Sequence, residues 1–255
     1  MNTQLKRIWI TGGGSGIGRA LALRYAGQGY QVVISGRTLP RLLEVQSEGQ
    51  DLAGEIIPLV FDVTAAESVP FISAQLSAKV SHLDLVILNA GTCEYLSGQL
   101  DTELFKRVMD TNFFGLLHSL NAALPLLRKA PQRPHVAAVC SMAAFTGFPR
   151  AGAYGASKAA ARYLMHSLRI DYSAELDVTV VNPGFVETPM TAANDFPMPF
   201  AMGAEEAATR IATALKSRPL EYNFPRRLSF SLRLAQLFPR VWYKRMGRQR
   251  MGQEQ

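Results

Sequence analysis

The sequence predicts an α/β protein built on a doubly wound parallel sheet, and three observations carry that prediction. Short runs rich in Val and Ile recur between longer helical patterns. Runs such as Val32-Val33-Ile34 and Leu85-Val86-Ile87-Leu88 are apolar throughout, as strands covered by helices on both faces must be. A glycine cluster, Thr11-Gly12-Gly13-Gly14-Ser15-Gly16-Ile17-Gly18, follows the first run and opens the first helical pattern. At 255 residues the chain suits one large domain with a substantial core.

In chain order, Ile8-Trp9-Ile10 marks a strand over 7–11, and the glycine cluster leads into a helix over 16–28. The Val-rich run predicts a strand over 31–35, then a helix over 39–49, a strand over 55–62 and a helix over 66–78. A strand over 83–89 precedes one long helix over 102–129. Strands over 135–141 and 177–182 bracket a helix over 152–173, and a helix over 204–217 precedes a last strand over 220–224. No repeat or long linker interrupts them, so residues 1–225 read as a single domain and 226–255 as an extension.

Charge is uneven along the chain. The net charge is +7, yet from Lys216 onward ten Lys or Arg face only Glu221 and Glu254, a balance of +8 that leaves the first 215 residues at −1. Such a tail means a solvated surface or a site for acidic partners or anionic lipid. No nucleic-acid motif accompanies it, so no nucleic-acid partner is expected. The apolar stretches break before the ~20 residues of a membrane span. Residues 1–7 lack the pattern of a secretory signal, which predicts a cytoplasmic protein. Cys93 and Cys140 are too few for a disulfide framework and read as reduced thiols. His82, His118, His135 and His166 form no metal-ligand spacing, so no catalytic metal is expected.

The glycine cluster carries the first chemical signal. Glycines between a strand and a helix let the backbone turn tightly and approach a pyrophosphate, whose charge the free N–H groups stabilise. This is the dinucleotide-binding arrangement of a Rossmann-type sheet. Eighteen residues past Gly18 stands Gly36, where an NAD-preferring site places a carboxylate on the ribose hydroxyls. Arg37 follows, and a guanidinium there pairs with a 2′-phosphate, so NADP(H) is favoured over NAD(H). The plainer reading leaves Arg37 in solvent beside Leu39-Pro40.

The second signal is Tyr154-Gly155-Ala156-Ser157-Lys158. Positions four apart share one helix face, so the Lys158 ammonium sits beside the Tyr154 phenol, favours its ionised form and prepares it for proton transfer. Taken alone the pair fits an ordinary half-exposed helix face.

With the glycine cluster, Asn89-Ala90-Gly91, Asn112, Ser141, Tyr154 to Lys158, and Pro183-Gly184 with Thr188 in this order, the chain resembles the short-chain dehydrogenases/reductases over about 5–206. The resemblance implies the compact, single-domain branch and a catalytic tetrad of Asn112, Ser141, Tyr154 and Lys158. It implies a cofactor site of Thr11, Gly12, Gly14, Ser15, Gly16, Ile17 and Gly18, with Arg37 beside the ribose. Asp62 and Val63 would hold the adenine, and Asn89, Ala90 and Gly91 would shape the cleft. Pro183, Gly184, Val186 and Thr188 would cradle the nicotinamide. Ser141 would donate to a substrate carbonyl while Tyr154 delivers the proton. Lys158 would also bind the nicotinamide ribose, and Asn112 would hold a water linking Lys158 to solvent. Leu88 departs from a first Asn common in the family. Many relatives form dimers or tetramers, which implies a homo-oligomer packed through the helix that begins near Ala151.

Two segments remain. Residues 188–206 carry Met190, Phe196, Met198, Phe200 and Met202, too apolar for an ordinary loop. They read either as a substrate lid, with Met190, Phe196, Phe200 and Met202 joining Ser141 and Tyr154 at the substrate, or as core or subunit contact. Residues 226–245 interleave apolar and cationic side chains around Pro239. They read as an amphipathic helix on anionic membrane, as a subunit contact, or as a solvated cover on the domain. The expected activity is hydride transfer between NADP(H) and a small-molecule carbonyl or alcohol that is apolar. The alternative is a non-catalytic dinucleotide sensor or scaffold with a membrane-binding tail.

Overall fold

The computed structural model describes residues 6–251, with side-chain surroundings through residue 247. The expectations for residues 1–5, for the last four residues of the extension and for the cationic side chains at 248 and 250 lie outside them. Chain order runs β1 (Arg7–Thr11), α1 (Gly16–Ala26), β2 (Gln31–Gly36), α2 (Leu39–Glu48), β3 (Glu55–Val60), α3 (Val69–Lys79), β4 (Leu85–Leu88), α4 (Thr102–Met109), α5 (Gly115–Leu127), β5 (His135–Val139), α6 (Gly152–Asp171), β6 (Asp177–Pro183), β7 (Val186–Glu187), β8 (Met202–Gly203), α7 (Ala204–Leu215), β9 (Glu221–Phe224), α8 (Arg226–Leu237) and α9 (Pro239–Met251). Each strand and helix expected over 7–224 is present. The long helix differs, because a π turn at Asp110–Phe114 divides it.

A seven-stranded sheet follows the order β3-β2-β1-β4-β5-β6-β9, every pair parallel. The order reverses beside β1, and the carboxyl ends of β1 and β4 therefore open a crevice between diverging loops. Period-two alternation sorts the strand side chains into two layers. Trp9, Val33 and Val86 point toward α3, α5 and α6, whereas Ile8, Ile10, Val32, Ile34 and Ile87 meet α1, α2 and α7. Fully buried Trp9 keeps its indole satisfied by donating from Nε1 to Ser35 Oγ at 3.0 Å. Among the described residues no helix is long and apolar enough to cross a membrane.

The end of the sheet opposite the cleft buries His135. Thr179 Oγ1 gives its proton to the Pro219 carbonyl at 2.6 Å, so His135 Nε2, 2.9 Å from that oxygen, must be the donor. Burial, followed by the Arg218 charge, lowers the His135 pKa to about 4. The unfolded chain, titrating near ~6.5, binds the proton more readily. Stability is therefore complete above about pH 6.5 and falls as pH drops toward 4, by about 3 kcal/mol for this group. His135→Gln, which keeps a donor for Thr179, is expected to flatten that slope in urea unfolding across the same window; an unchanged slope refutes it.

Candidate active site

The glycine loop is built by close backbone approach. Gly12 has φ +67° and Gly16 φ +51°, and a Cβ at Gly16 would lie 2.9 Å from Thr188 Cγ2. Both conformations favour glycine. Ser15 stands at the N-cap of α1 without a side-chain cap, and the first turn holds no acidic residue, so its N–H groups are available to an anion. Thr11 does not line the cleft: it is buried, and its Oγ1 accepts from the Asn89 and Ala90 amides at 3.0 Å each. Asn89 Nδ2 donates to the Thr11 and Gly12 carbonyls at 3.0 and 3.2 Å. Thr11 and Asn89 thus lash the glycine loop to the end of β4, with Gly18 packed beneath.

Arg37, Asp62 and Val63 lie at the outer ends of β2 and β3. Arg37 is exposed just past β2. A second arginine that sequence reasoning missed, Arg41, stands against the glycine loop: a Cβ on Gly14 would meet Arg41 Cβ at 3.3 Å. Its signal was the four-residue spacing from Arg37 into the first turn of α2. Asp62 Oδ1 accepts from the Thr64 amide at 3.0 Å and its hydroxyl at 2.8 Å, which fixes the carboxylate direction. Val63 is buried, and its carbonyl pairs with His118 Nδ1 at 2.8 Å.

Ser141, Tyr154 and Lys158 meet where β5 ends. Ser141 caps a 3₁₀ turn at Met142–Ala144, its Oγ accepting from the Ala143 amide at 3.1 Å, and its side chain lies beside Tyr154. Tyr154 and Lys158 lie one turn apart on α6, with Nζ 5.9 Å from the ring centroid. Lys158 Nζ donates to the Val139 carbonyl at 3.0 Å. Burial raises the Tyr154 pKa, and the neighbouring Ser141 side chain opposes that rise. Burial also lowers the Lys158 pKa. Tyr154 is partly buried and lines the cleft.

Asn112 sits in the π turn, a geometry that often marks a functional position. Its Oδ1 accepts from the Thr92 amide at 2.7 Å, while Nδ2 donates to the Thr92 carbonyl and to Ser157 Oγ, both at 2.9 Å. Ser157 passes its own proton to the Tyr154 carbonyl at 2.8 Å. Its side chain therefore holds the β4 loop and α6, a role the resemblance did not supply. Gly91 makes room, since a Cβ there would stand 3.1 Å from Asn112 Oδ1 and 3.2 Å from Lys158 Nζ.

These parts share one open cleft. Gly12, Ser15, Gly16, Ile17 and Asn89 to Gly91 line one wall, Ser141, Tyr154 and Lys158 another. Pro183, Gly184, Val186, Thr188 and Met190 close it, and Val139, Cys140, Pro189 and Thr191 join them although not expected as site residues. Thr11, Gly14, Gly18, Arg37, Asp62, Val63 and Asn112 lie outside that lining.

The apolar segment after β7 divides. Met202 is a correction: it pairs with Val186 as part of β8 and is buried in the core layer shared with Ile8 and Ile10, so it cannot face a substrate. Phe200 is exposed, with φ +60°. Phe196 turns inward and meets Tyr95 and Phe185 edge to face, centroids 5.5 and 6.1 Å away. Arg150, φ +61°, grips the segment through Asp195 at 2.7 Å and lies 5.6 Å over the Tyr95 ring. Cys93 and Asn194 stand beside the Tyr95 hydroxyl. Arg150 and Tyr95 lie 55 residues apart, so no sequence period joins them. On the other side, α8 and α9 fold back over the loop after Ser141: Gln236 Nε2 donates to the Phe145 carbonyl at 2.6 Å and Trp242 Nε1 to the Gly147 carbonyl at 2.9 Å.

The family model described as short chain dehydrogenase matches residues 6–196. The chain belongs to this family. An uncharacterized oxidoreductase of Myxococcus xanthus is 36% identical over 232 residues, covering 90% of this short-chain dehydrogenase and 91% of that protein. An 11-beta-hydroxysteroid dehydrogenase A of Sesamum indicum is 32% identical over 73% of this chain, which spans only 54% of the plant protein. Among solved structures, an alcohol dehydrogenase from Thermococcus sibiricus complexed with 5-hydroxy-NADP superposes with a TM-score of 0.79 at 26% identity, covering 87% of this chain and 96% of that one. A short chain dehydrogenase/reductase from Burkholderia phymatum in complex with NAD reaches 0.84 at 21% identity, covering 95% and 96%, a likeness of fold. Family membership makes this short-chain dehydrogenase an oxidoreductase that acts on CH–OH groups and their carbonyl counterparts.

Proposed function

We propose that this short-chain dehydrogenase is an NADP(H)-dependent carbonyl reductase, or the reverse alcohol dehydrogenase, acting on an apolar substrate with Tyr154 as general acid and base. The observation that carries the reading is the placement of Ser141, Tyr154 and Lys158 together in the cleft that the glycine loop also lines. That loop fits a dinucleotide, because the positive φ at Gly12 and Gly16 leaves the backbone bare where a side chain would collide. When bound, the nicotinamide supplies or takes up the hydride. Ser141 Oγ orients the substrate oxygen. Tyr154 Oη delivers a proton to that oxygen in reduction and removes it in oxidation. Lys158, released from Val139, would hold the ribose hydroxyls, and Asn112 keeps α6 and the β4 loop in register with both. Pro183 to Thr188 confine the reacting ring. Asp62 and Val63 would hold the adenine. The exposed Tyr163 and Ile170 on α6 suit burial against a second copy, consistent with a homo-oligomer. Free Cys93 and Cys140 fit a cytoplasmic placement.

Two expected results test the finer points. Arg37 and Arg41 supply two cations at the ribose end, so NADPH is expected to bind more tightly than NADH by about 1 to 3 kcal/mol. Arg37→Asp should reverse or erase that gap in fluorescence titrations. Equal affinities in the unmodified protein would sink it. An apolar pocket against Phe196 and Met190 should raise kcat/KM several-fold per added methylene, each worth ~0.8 kcal/mol, until the site is full. Phe196→Ser should flatten the climb for a series of aldehydes or ketones. A flat series in the unmodified enzyme removes the apolar assignment.

A further inference from the structure

The second surface of interest is the outward face of α8 and α9. In α8 the inward face buries Ser229 and Leu232, yet a second apolar stripe points to solvent. Phe230, Leu234 and Leu237, at i, i+4 and i+7, are 71%, 46% and 74% exposed. The stripe continues past the break at Pro239 through Phe238 and Val241, 58% and 67% exposed. A helix covering a domain needs one apolar face. This one has two.

Cations frame the outer stripe. Arg226 and Arg227 precede Phe230 by one turn, and Arg233 lies three residues past Phe230 and four before Leu237. In α9, Lys244 and Arg245 follow Val241 by one turn, with Arg240 beside it. All six are exposed, and none has a carboxylate partner among the described residues. The sequence holds no Asp or Glu between Glu221 and Glu254.

We infer that this face of α8 and α9 seats the protein on an anionic lipid bilayer. Long cationic side chains flanking a narrow apolar stripe place their charges at lipid phosphates while the stripe enters the headgroup boundary. A second copy is a poor occupant, because an isologous contact would set six cations against six with no carboxylate between them. A nucleic acid would leave Phe230, Leu234 and Leu237 pressed on phosphates. The inner face of the same helices grips the Phe145 and Gly147 carbonyls, and Leu228 packs so closely on Gly184 that a Cβ there would lie 2.8 Å from Leu228 Cδ2. The bilayer thus lies one helix away from the loop that follows Ser141. The inference stands apart from cofactor preference and from the role of Tyr154.

The test is co-sedimentation of the full chain with vesicles of phosphatidylcholine alone or with about one-third phosphatidylglycerol. Partitioning is expected to be at least ~100-fold stronger on the anionic vesicles, since each cation adds roughly five-fold. Raising salt from about 0.1 to about 0.5 M should weaken it steeply. Leu234→Ser with Leu237→Ser should cut binding at least ~10-fold, and Arg226→Glu with Arg233→Glu should abolish the preference for anionic lipid. Both pairs are exposed, so the thermal midpoint and the turnover of a soluble carbonyl without vesicles should match the parent. Equal binding to both vesicles, or none, overturns the inference. So does a dimer that Leu234→Ser with Leu237→Ser splits in gel filtration, since the stripe would then belong to a second copy.

Discussion

Tyr154→Phe is expected to reduce any accepted carbonyl at least ~10²- to 10⁴-fold more slowly than the parent while binding NADPH almost unchanged. Only the hydroxyl is removed. The ring, its place on α6 and Lys158 one turn away all remain, so a loss confined to kcat reports proton transfer alone. Burial raises the phenol pKa, which predicts a direction for pH as well. Reduction uses the protonated phenol and should stay level through neutral pH. Oxidation needs the phenolate and should climb as pH rises toward the phenol's pKa. Ser141→Ala is a less clean probe, because Oγ also caps the 3₁₀ turn through the Ala143 amide at 3.1 Å. Parent-like reduction by Tyr154→Phe, or oxidation that falls with rising pH, would show that another group moves the proton.

The sheet was legible because its strands are buried on both faces, and the resulting unbroken Val and Ile runs are separated by helical patterns of ordinary length. The cleft was legible because the glycine cluster, Ser141 and Tyr154 to Lys158 all stand at ends or starts of those elements. What escaped depends on tertiary placement. The π turn at Asp110–Phe114 inserts no Gly or Pro that would mark it, so 102–129 reads as one helix. The pairs β7 and β8 are two residues each, too short for any period, and they carry Met202 into the core. Helical spacing brought Lys158 near Tyr154 but could not show that Nζ turns to the Val139 carbonyl at 3.0 Å. The grip of Arg150 on Asp195 and Tyr95 joins three distant segments. In the extension, the interleaved apolar and cationic residues were visible, whereas the division into an inner stripe at Ser229 and Leu232 and an outer one at Phe230 and Leu237 needed a fold to pack against.

Gly18→Ala should be the most damaging single-methyl change in the nucleotide loop. By helix propensity alone it ought to help, since Ala is favoured over Gly by about 1 kcal/mol in a helix interior. The geometry opposes this: the new Cβ would lie 2.2 Å from the Gly12 carbonyl oxygen and 2.6 Å from Asn89 Nδ2. Neither neighbour is a free end. Gly12 is held at φ +67°, and Asn89 Nδ2 donates to both the Thr11 and Gly12 carbonyls. Relief requires α1 to lift from β1 or the loop to break its ties to β4, and overpacking of this kind costs about 1 to 3 kcal/mol or more. Either shift also moves the N–H groups that would face the pyrophosphate. We therefore expect Gly18→Ala to lower the thermal midpoint and to weaken NADPH binding at least ~10-fold, measured by fluorescence titration. Gly247→Ala supplies the contrast: a Cβ there meets nothing within 4 Å, so the same chemical change in α9 should be neutral or mildly stabilising. If Gly18→Ala instead matches Gly247→Ala in stability and keeps its affinity for NADPH, the contact between α1 and the glycine loop is looser than these distances require. The anion site would then have to be sought elsewhere along the cleft.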